Sequence, residues 1–280
     1  MTHTFKEFST NAIFNIGNEN DLLPFQKAKQ CEFYTFIWAK SEAIHLIIDS
    51  VPLTIQPHSI LALTPIQYLQ YIDGSDAIVY QFNREFYCIK DHDQEVSCAG
   101  ILFFGNTNIP IIHLDAVEQQ KFITLHYVFI DELETEDNIQ AEMLRMLMAR
   151  FIIKSTRLLK AKEGISETPK SSKVDLLREF NFLVEQYFKT EHSVAFYANK
   201  LFKSPKTLSN NFAKLNRSPL QIIHQRIVLE TQRQLSYTDK TAKEIAYDIG
   251  YEDASHLSRL FKKYTSLSPS DYKKRLNSLS

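Results

Sequence analysis

The 280 residues exceed what one ordinary core needs and suit two domains. With 44% hydrophobic and 23% charged residues, 6 Gly and 9 Pro, low complexity and disorder throughout are excluded. No apolar run is long enough to cross a membrane and the N-terminus lacks the basic-then-apolar order of a signal peptide, so a cytoplasmic protein is expected. Cys31, Cys88 and Cys98 make an odd set without a CxxC pair, which argues for reduced thiols and against a disulfide framework or structural zinc. The formal net charge of -1 is a sum of opposites: residues 175–280 carry 17 Lys and Arg against 11 Asp and Glu, and residues 1–174 carry 15 against 22. A basic module joined to an acidic one suits a polyanion-binding unit fused to a non-binding one, although solvated faces also give differences of this size.

From residue 33 to 104, short apolar runs alternate with turn residues: FYTFIWA, IHLII, LTI, SILAL, YLQYI, AIVYQF and ILFF. These predict strands, and Pro52, Pro57, Pro65, Gly74 and Gly105 beside them point to a small antiparallel barrel or sandwich. Over 115–133 and 138–162 the period becomes helical, with Met143, Leu144, Leu147, Met148, Phe151, Ile152, Leu158 and Leu159 as an apolar stripe. Two such helices can cover an open sheet face or pair two copies of the chain. His45, His58, His113 and His126 are scattered singly, which does not make a metal site, and Asp91-His92-Asp93 has the pattern of an exposed turn. The stretch KEGISETPKSSK at 162–173 mixes Gly, Pro, Ser and charge without periodicity and predicts a linker.

After Val174 the sequence predicts short helices with explicit starts. Ser204-Pro205, Ser218-Pro219 and Ser268-Pro269 each put a capping side chain before a proline, and Thr241 with Glu244 and Ser268 with Asp271 resemble capping boxes. The region also repeats itself: LSNNFAK at 208–214 is echoed by LSRLFKK at 257–263, each preceded by a helix with a small residue, Ala198 or Ala246. A small residue there lets two helices of a helix-turn-helix cross closely. In the second unit, a helix over 243–249, a left-handed turn at Gly250 and a helix over 253–263 would bury Ala254, Leu257, Leu260 and Phe261. Ser255, His256, Ser258, Arg259 and Lys262 then face outward, a set of donors and cations suited to base edges and phosphates. In the first unit, a helix over 194–201, a turn at Phe202 and Lys203 and a helix over 205–215 would bury Leu208, Phe212 and Leu215 and expose Lys206, Thr207, Ser209, Asn210 and Lys214. A longer helix over 219–235 separates the units and would place both reading helices in major-groove segments about 34 Å apart.

Residues 190–275 resemble the DNA-binding domain of the AraC/XylS family of bacterial regulators, and the string AKEIAYDIGYEDASHLSRLFKKYTSLSPSDYKK resembles that family's second helix-turn-helix signature almost throughout. The resemblance implies two helix-turn-helix subdomains joined by a long helix, binding to double-stranded promoter DNA, and activation through contact with RNA polymerase. Carried over by position, it implies Lys206, Ser209 and Asn210 in the first unit and Ala254, Ser255, His256 and Arg259 in the second as DNA-reading residues. The chain departs from the pattern at Asn216-Arg217 and Ser266-Leu267, where the family often has glycine, and at Leu257, where it often has Phe; base preference is therefore not transferable. The N-terminal half resembles the family's cupin-like sensor domains in its strands followed by two helices. That implies a small-molecule effector pocket inside the barrel and a homodimer through the helices at 115–133 and 138–162.

The expected architecture is two-domain α+β. A cupin-like antiparallel β-barrel with two helices occupies 1–163, a linker 164–174, and an all-α DNA-binding domain 175–280 with helix-turn-helix units at 194–215 and 242–263. The expected function is a sequence-specific transcription regulator, an activator responding to an effector, with no enzyme activity, cofactor or metal. Two other readings stand beside it. A metal-dependent cupin enzyme requires a ligand cluster that the histidines do not form. A reading that keeps DNA binding but makes the N-terminal domain a protein-interaction and dimerisation module without an effector would be favoured by a barrel filled by its own aromatics, for which Phe33, Tyr34, Phe36, Trp38, Tyr68, Tyr71, Tyr80 and Phe82 are available.

Overall fold

A computed structural model of the chain describes residues 2–89, 102–103, 109–162, 172–213 and 218–277. The chain divides into two compact units, Met1–Glu167 and Thr168–Ser280.

The first unit holds strands β1 (His3–Glu7), β2 (Ala12–Gly17), β3 (Lys29–Gln30), β4 (Tyr34–Ala39), β5 (Ile44–Ile48), β6 (Val51–Ile55), β7 (Ser59–Leu63), β8 (Tyr68–Asp73), β9 (Ala77–Phe82) and β10 (Ile111–His113). A short 3-10 helix, Glu19–Phe25, follows β2, and helices α1 (Ala116–Glu134) and α2 (Gln140–Lys162) follow β10. The strands form a six-stranded sheet, β1-β2-β9-β4-β7-β10, and a four-stranded sheet, β3-β8-β5-β6. Every described pair is antiparallel.

The sheets do not close into the expected barrel: among the described residues no ladder joins a strand of one to a strand of the other. The chain changes sheet at sharp corners, where His58 (φ 60°), Gly74 (φ 129°) and Asp76 (φ 51°) leave the extended region and interrupt pairing. Two corners are fastened together by the Lys40 N–H to Asp76 carbonyl and His58 N–H to Lys40 carbonyl bonds, each 3.0 Å.

Alternation along β4 sends Ile37 and Ala39 to one face and Phe36 and Trp38 to the other, and both faces are buried. The inter-sheet core is mainly aliphatic: Ile37 and Ala39 join Ile44, Leu46 and Ile48 of β5, Leu61 and Leu63 of β7, Leu69 of β8 and Val79 of β9. Phe25 and Tyr71 join this core, but Phe14, Phe36, Trp38 and Tyr80 lie on the opposite face, under the helices. Phe36 meets Phe151 at 4.9 Å between centroids, Trp38 meets Phe122 at 6.1 Å, and Phe14 and Tyr80 meet Phe129 at 5.4 and 5.7 Å. Such pairs add about 0.5–1.5 kcal/mol each beyond area burial. Helices α1 and α2 thus form a covering layer, and they are tied by Lys154 to Glu118 at 2.8 Å.

The sequence reading differs from the structure elsewhere in this unit. Strands β1, β2, β3 and β10 went unread, and Leu102 and Phe103 of the ILFF run lie in a wide helical turn. There Phe103 packs edge-on against Tyr34 and Phe36. Cys98 and Asp91-His92-Asp93 lie outside the described residues.

The second unit is helical among its described residues: α3 (Ser172–Tyr187), α4 (Val194–Lys200), α5 (Pro205–Ala213), α6 (Pro219–Tyr237), α7 (Ala242–Asp248), α8 (Ala254–Thr265) and α9 (Pro269–Asn277). Residues 172–174 of the expected linker are already helical. Helices this short are marginal alone and are held by a common core. In it Phe180, Tyr197, Ala198, Leu208, Phe212, Ile223, Ile227, Ile245, Ala246, Leu257 and Phe261 are buried around α6.

Candidate nucleic-acid interface

Each helix-turn-helix is built by a cap, a small buried residue and a left-handed turn. In the second, Thr241 Oγ1 accepts from the Glu244 N–H at 3.2 Å while Glu244 Oε2 accepts from the Thr241 N–H at 2.7 Å, a full capping box that starts α7. That backbone hydrogen bond, with one from the Thr241 hydroxyl, holds the Glu244 carboxyl below the usual range. Helix α7 ends in a turn where Gly250 takes φ 82° and the Tyr251 N–H returns to the Ala246 carbonyl at 2.9 Å. The first unit repeats it: Ser193 caps α4, Phe202 takes φ 53°, and the Lys203 N–H returns to the Ala198 carbonyl at 2.9 Å. Ala198 and Ala246 are fully buried at the crossings.

The second helix of each unit presents one polar face. On α8, Leu257 and Phe261 are buried, Ala254, Ser258 and Leu260 are half-buried, and Ser255, His256, Arg259 and Lys262 are exposed. Ala254 and Leu260 were expected inside and Ser258 outside; all three line the edge of the buried stripe. On α5, Leu208 and Phe212 are buried and Lys206, Thr207, Ser209 and Asn210 are exposed. Lys214 and Leu215 lie outside the described residues.

Two of the polar groups are already engaged. Ser255 donates its backbone N–H to Asp253 Oδ1 at 2.8 Å and its hydroxyl to Oδ2 at 2.5 Å, which caps α8. Those bonds hold the Asp253 carboxyl below its usual range, with the charges of His256 and Arg259 assisting. Thr207 gives its N–H to Ser204 Oγ at 3.0 Å and shares a 2.8 Å bond between the two hydroxyls. The second helices of the two units therefore start differently, α5 from a neutral Ser204 between Lys203 and Lys206, α8 from an ionised Asp253 beside Glu252. Arg259 donates Nε to the Ser255 carbonyl at 3.4 Å and has no ion pair among the described residues. Of the other predicted caps, Ser268 accepts the Asp271 N–H at 3.1 Å, whereas the Ser218 side chain makes no cap bond and Pro219 alone marks the start of α6.

The sequence reading missed Phe202 as a left-handed residue, Asp253 as the cap, and His192, which bonds the second turn. Counting four residues on from Ala198 and from Ala246 would have found the first, since it lands on Phe202 and Gly250. Ser266 takes φ 64° at the end of α8, a left-handed cap that suits glycine.

Among the described residues no three His, Cys, Asp or Glu side chains gather as metal ligands, and no helix is long and apolar enough to cross a membrane.

Residues 197–275 match the family model of the helix-turn-helix domain. The chain is 27% identical over 101 residues to the uncharacterized HTH-type transcriptional regulator YdiP of Escherichia coli (strain K12), covering 36% of this chain and 33% of that protein. It is 35% identical over 63 residues to the HTH-type transcriptional activator RhaS of Yersinia pestis (strain Pestoides F), covering 22% of this chain and 23% of that protein. The chain thus matches about a third and about a quarter of these relatives' lengths. Among solved structures, ToxT of Vibrio cholerae O395 aligns over 98% of this chain and 96% of its own, at 16% identity and a TM-score of 0.41.

Proposed function

We propose that this chain is a sequence-specific DNA-binding regulator of transcription, acting in the cytoplasm, whose helices α5 and α8 enter adjacent major-groove segments of promoter DNA. The observation that carries the reading is the outward row of Ser255, His256, Arg259 and Lys262 on α8, matched by Lys206, Thr207, Ser209 and Asn210 on α5. Ala254 and Ser258, both half-buried, border the α8 surface, and Lys214 is a further DNA contact expected from the sequence. Arg259 can fork onto a guanine edge or pair with phosphate, Asn210 can bridge an adenine edge, and the lysines neutralise phosphates. Ser255 and Thr207, with hydroxyls committed to caps, stiffen the helix starts and offer lone pairs to base amino groups.

Activation through RNA polymerase extends this reading and is supported by the name of RhaS as an activator. Effector sensing falls to the first unit. The aliphatic packing between its sheets favours a site on the aromatic, helix-covered face, where Trp38 Nε1 and Ser155 Oγ are buried with no hydrogen-bond partner among the described residues. Pairing of two chains through α1 and α2 is supported by the exposed Tyr127, Ile139, Met143 and Met146.

Fluorescence anisotropy with duplexes from the promoters of its own and neighbouring genes tests the core of the reading. Specific binding is expected, and Arg259→Ala should weaken it by about 1–3 kcal/mol if Arg259 reads a base, or chiefly lower the salt slope if it contacts phosphate. Binding no tighter than to random duplex at moderate salt would sink the reading.

A further inference from the structure

The two turns are built alike and used differently. Phe202 holds the left-handed position of the first with its residue surface 93% exposed. At the same position of the second, a Cβ built on Gly250 would lie 2.2 Å from the Lys189 carbonyl oxygen. A bulky residue therefore tolerates this dihedral where nothing lies opposite; position 250 needs glycine because a backbone does. That backbone is the loop 188–193 between α3 and α4.

The loop is fastened on three sides. The Tyr197 hydroxyl of α4 donates to the Glu191 carbonyl at 2.7 Å, holding the loop to the first unit. The next residue, His192, donates Nε2 to the Ile249 carbonyl at 2.8 Å and stacks on Tyr251 at 4.3 Å between centroids and 26° between planes, holding it to the second turn. Lys189 Nζ lies 3.8 Å from Glu230 of α6, and the Arg226 guanidinium of α6 lies 3.8 Å over the buried Phe188 ring. Each unit also packs on α6. The contact of 188–193 with 249–251 runs from one unit to the other without passing through that helix.

We propose that loop 188–193 is a clamp fixing the rotation of the second helix-turn-helix about α6 relative to the first, with His192 as its positioning residue, so that the chain selects DNA by the spacing of two sub-sites as well as by their bases. The inference rests on the DNA-binding reading above. His192 is placed to act on α8 through the turn that ends just before the Asp253 cap.

The full-length chain is used to select a preferred duplex from a random-sequence pool, and one base pair is then inserted between its two sub-sites. The insertion turns the second sub-site by about 35° and shifts it by about 3.4 Å. The wild-type chain is expected to lose about tenfold or more in affinity on insertion, because the second unit gives up its base contacts. In His192→Ala the insertion should cost about threefold or less, since a freed unit can follow its sub-site. Tyr251→Ala, which removes the stack from the other side, should do the same. A merely structural loss lowers affinity for both duplexes together, and a ratio left at the wild-type value in both variants would overturn the proposal. A wild-type chain that binds its selected duplex yet ignores the insertion overturns the clamp and leaves the DNA-binding reading standing; a chain that selects no duplex overturns both.

Discussion

Replacing Arg226 with Ala should destabilise the second unit severely while leaving the first unchanged. The Arg226 guanidinium donates Nε to Glu185 Oε2 at 2.6 Å and Nη2 to Glu185 Oε1 at 2.9 Å, a bidentate fork, and Nη1 to Glu230 Oε2 at 3.1 Å. Its side chain is 10% exposed, and those of Glu185 and Glu230 are 19% and 14% exposed. Removing one partner of such a set costs about 3–5 kcal/mol, because the remaining charges stay buried without compensation. Glu230 keeps Lys189 at 3.8 Å and Arg233 at 3.9 Å, which puts the expected loss near the lower end. Burial pushes the Glu230 carboxyl up, but the charge of Arg226, the hydrogen bond from Gln234 and the charges of Lys189 and Arg233 together outweigh it, and the net position is below the usual carboxylate range. Its contribution is therefore present above the unfolded-state pKa and is lost as pH falls through the lower, folded one. Without Arg226 the largest influence opposing burial is gone and protonation relieves the stranded Glu230 carboxylate, so the penalty should shrink between about pH 7 and about pH 4. Urea titration of the full chain reads both units: far-UV circular dichroism follows the helices, and the single tryptophan, Trp38, follows the first unit. The reasoning fails if the helical transition moves by less than about 1 kcal/mol, or by the same amount at both pH values.

Phe202→Gly should stabilise the second unit by up to about 1 kcal/mol, the left-handed penalty of Phe less the added chain entropy of glycine, whereas Gly250→Ala should cost at least about 2 kcal/mol. Equal effects in urea melts would show that the Lys189 carbonyl does not constrain position 250. In the first unit, burial pushes the His126 imidazole down to about 4 from an ordinary 6.5, and its Nδ1 accepts the Tyr80 hydroxyl at 3.0 Å. The unfolded chain binds that proton first, so stability should fall as pH drops from 6.5 towards 4. Trp38 fluorescence in urea at several pH values should show this slope flattened in His126→Gln; an unchanged slope contradicts it.

The second helix-turn-helix was nearly all legible because its signals are local. Thr241 and Glu244 are three residues apart, Gly250 punctuates the turn, and Leu257 and Phe261 lie on one helical stripe. The first was legible by repetition, although Phe202 hid its turn behind a residue that avoids positive φ. The sandwich was harder to read. Both faces of β4 are buried, so no polar alternation says that Trp38 faces the helices and Ile37 the other sheet. β1, with the pattern HTFKE, buries too little to stand out, and its pairing with β2 is fixed by the sheet. His192 lies 57 residues from the carbonyl it bonds, a contact that no periodicity encodes.

The central claim, that α5 and α8 read DNA, is tested most directly by equilibrium binding of the full chain to a duplex it selects from a random pool, against unselected duplex at one fixed salt concentration. The expected result is binding at least about a thousandfold tighter to the selected duplex, reduced by Arg259→Ala and by Asn210→Ala. Equal affinity for both duplexes, or a preference that survives loss of both side chains, would contradict the account.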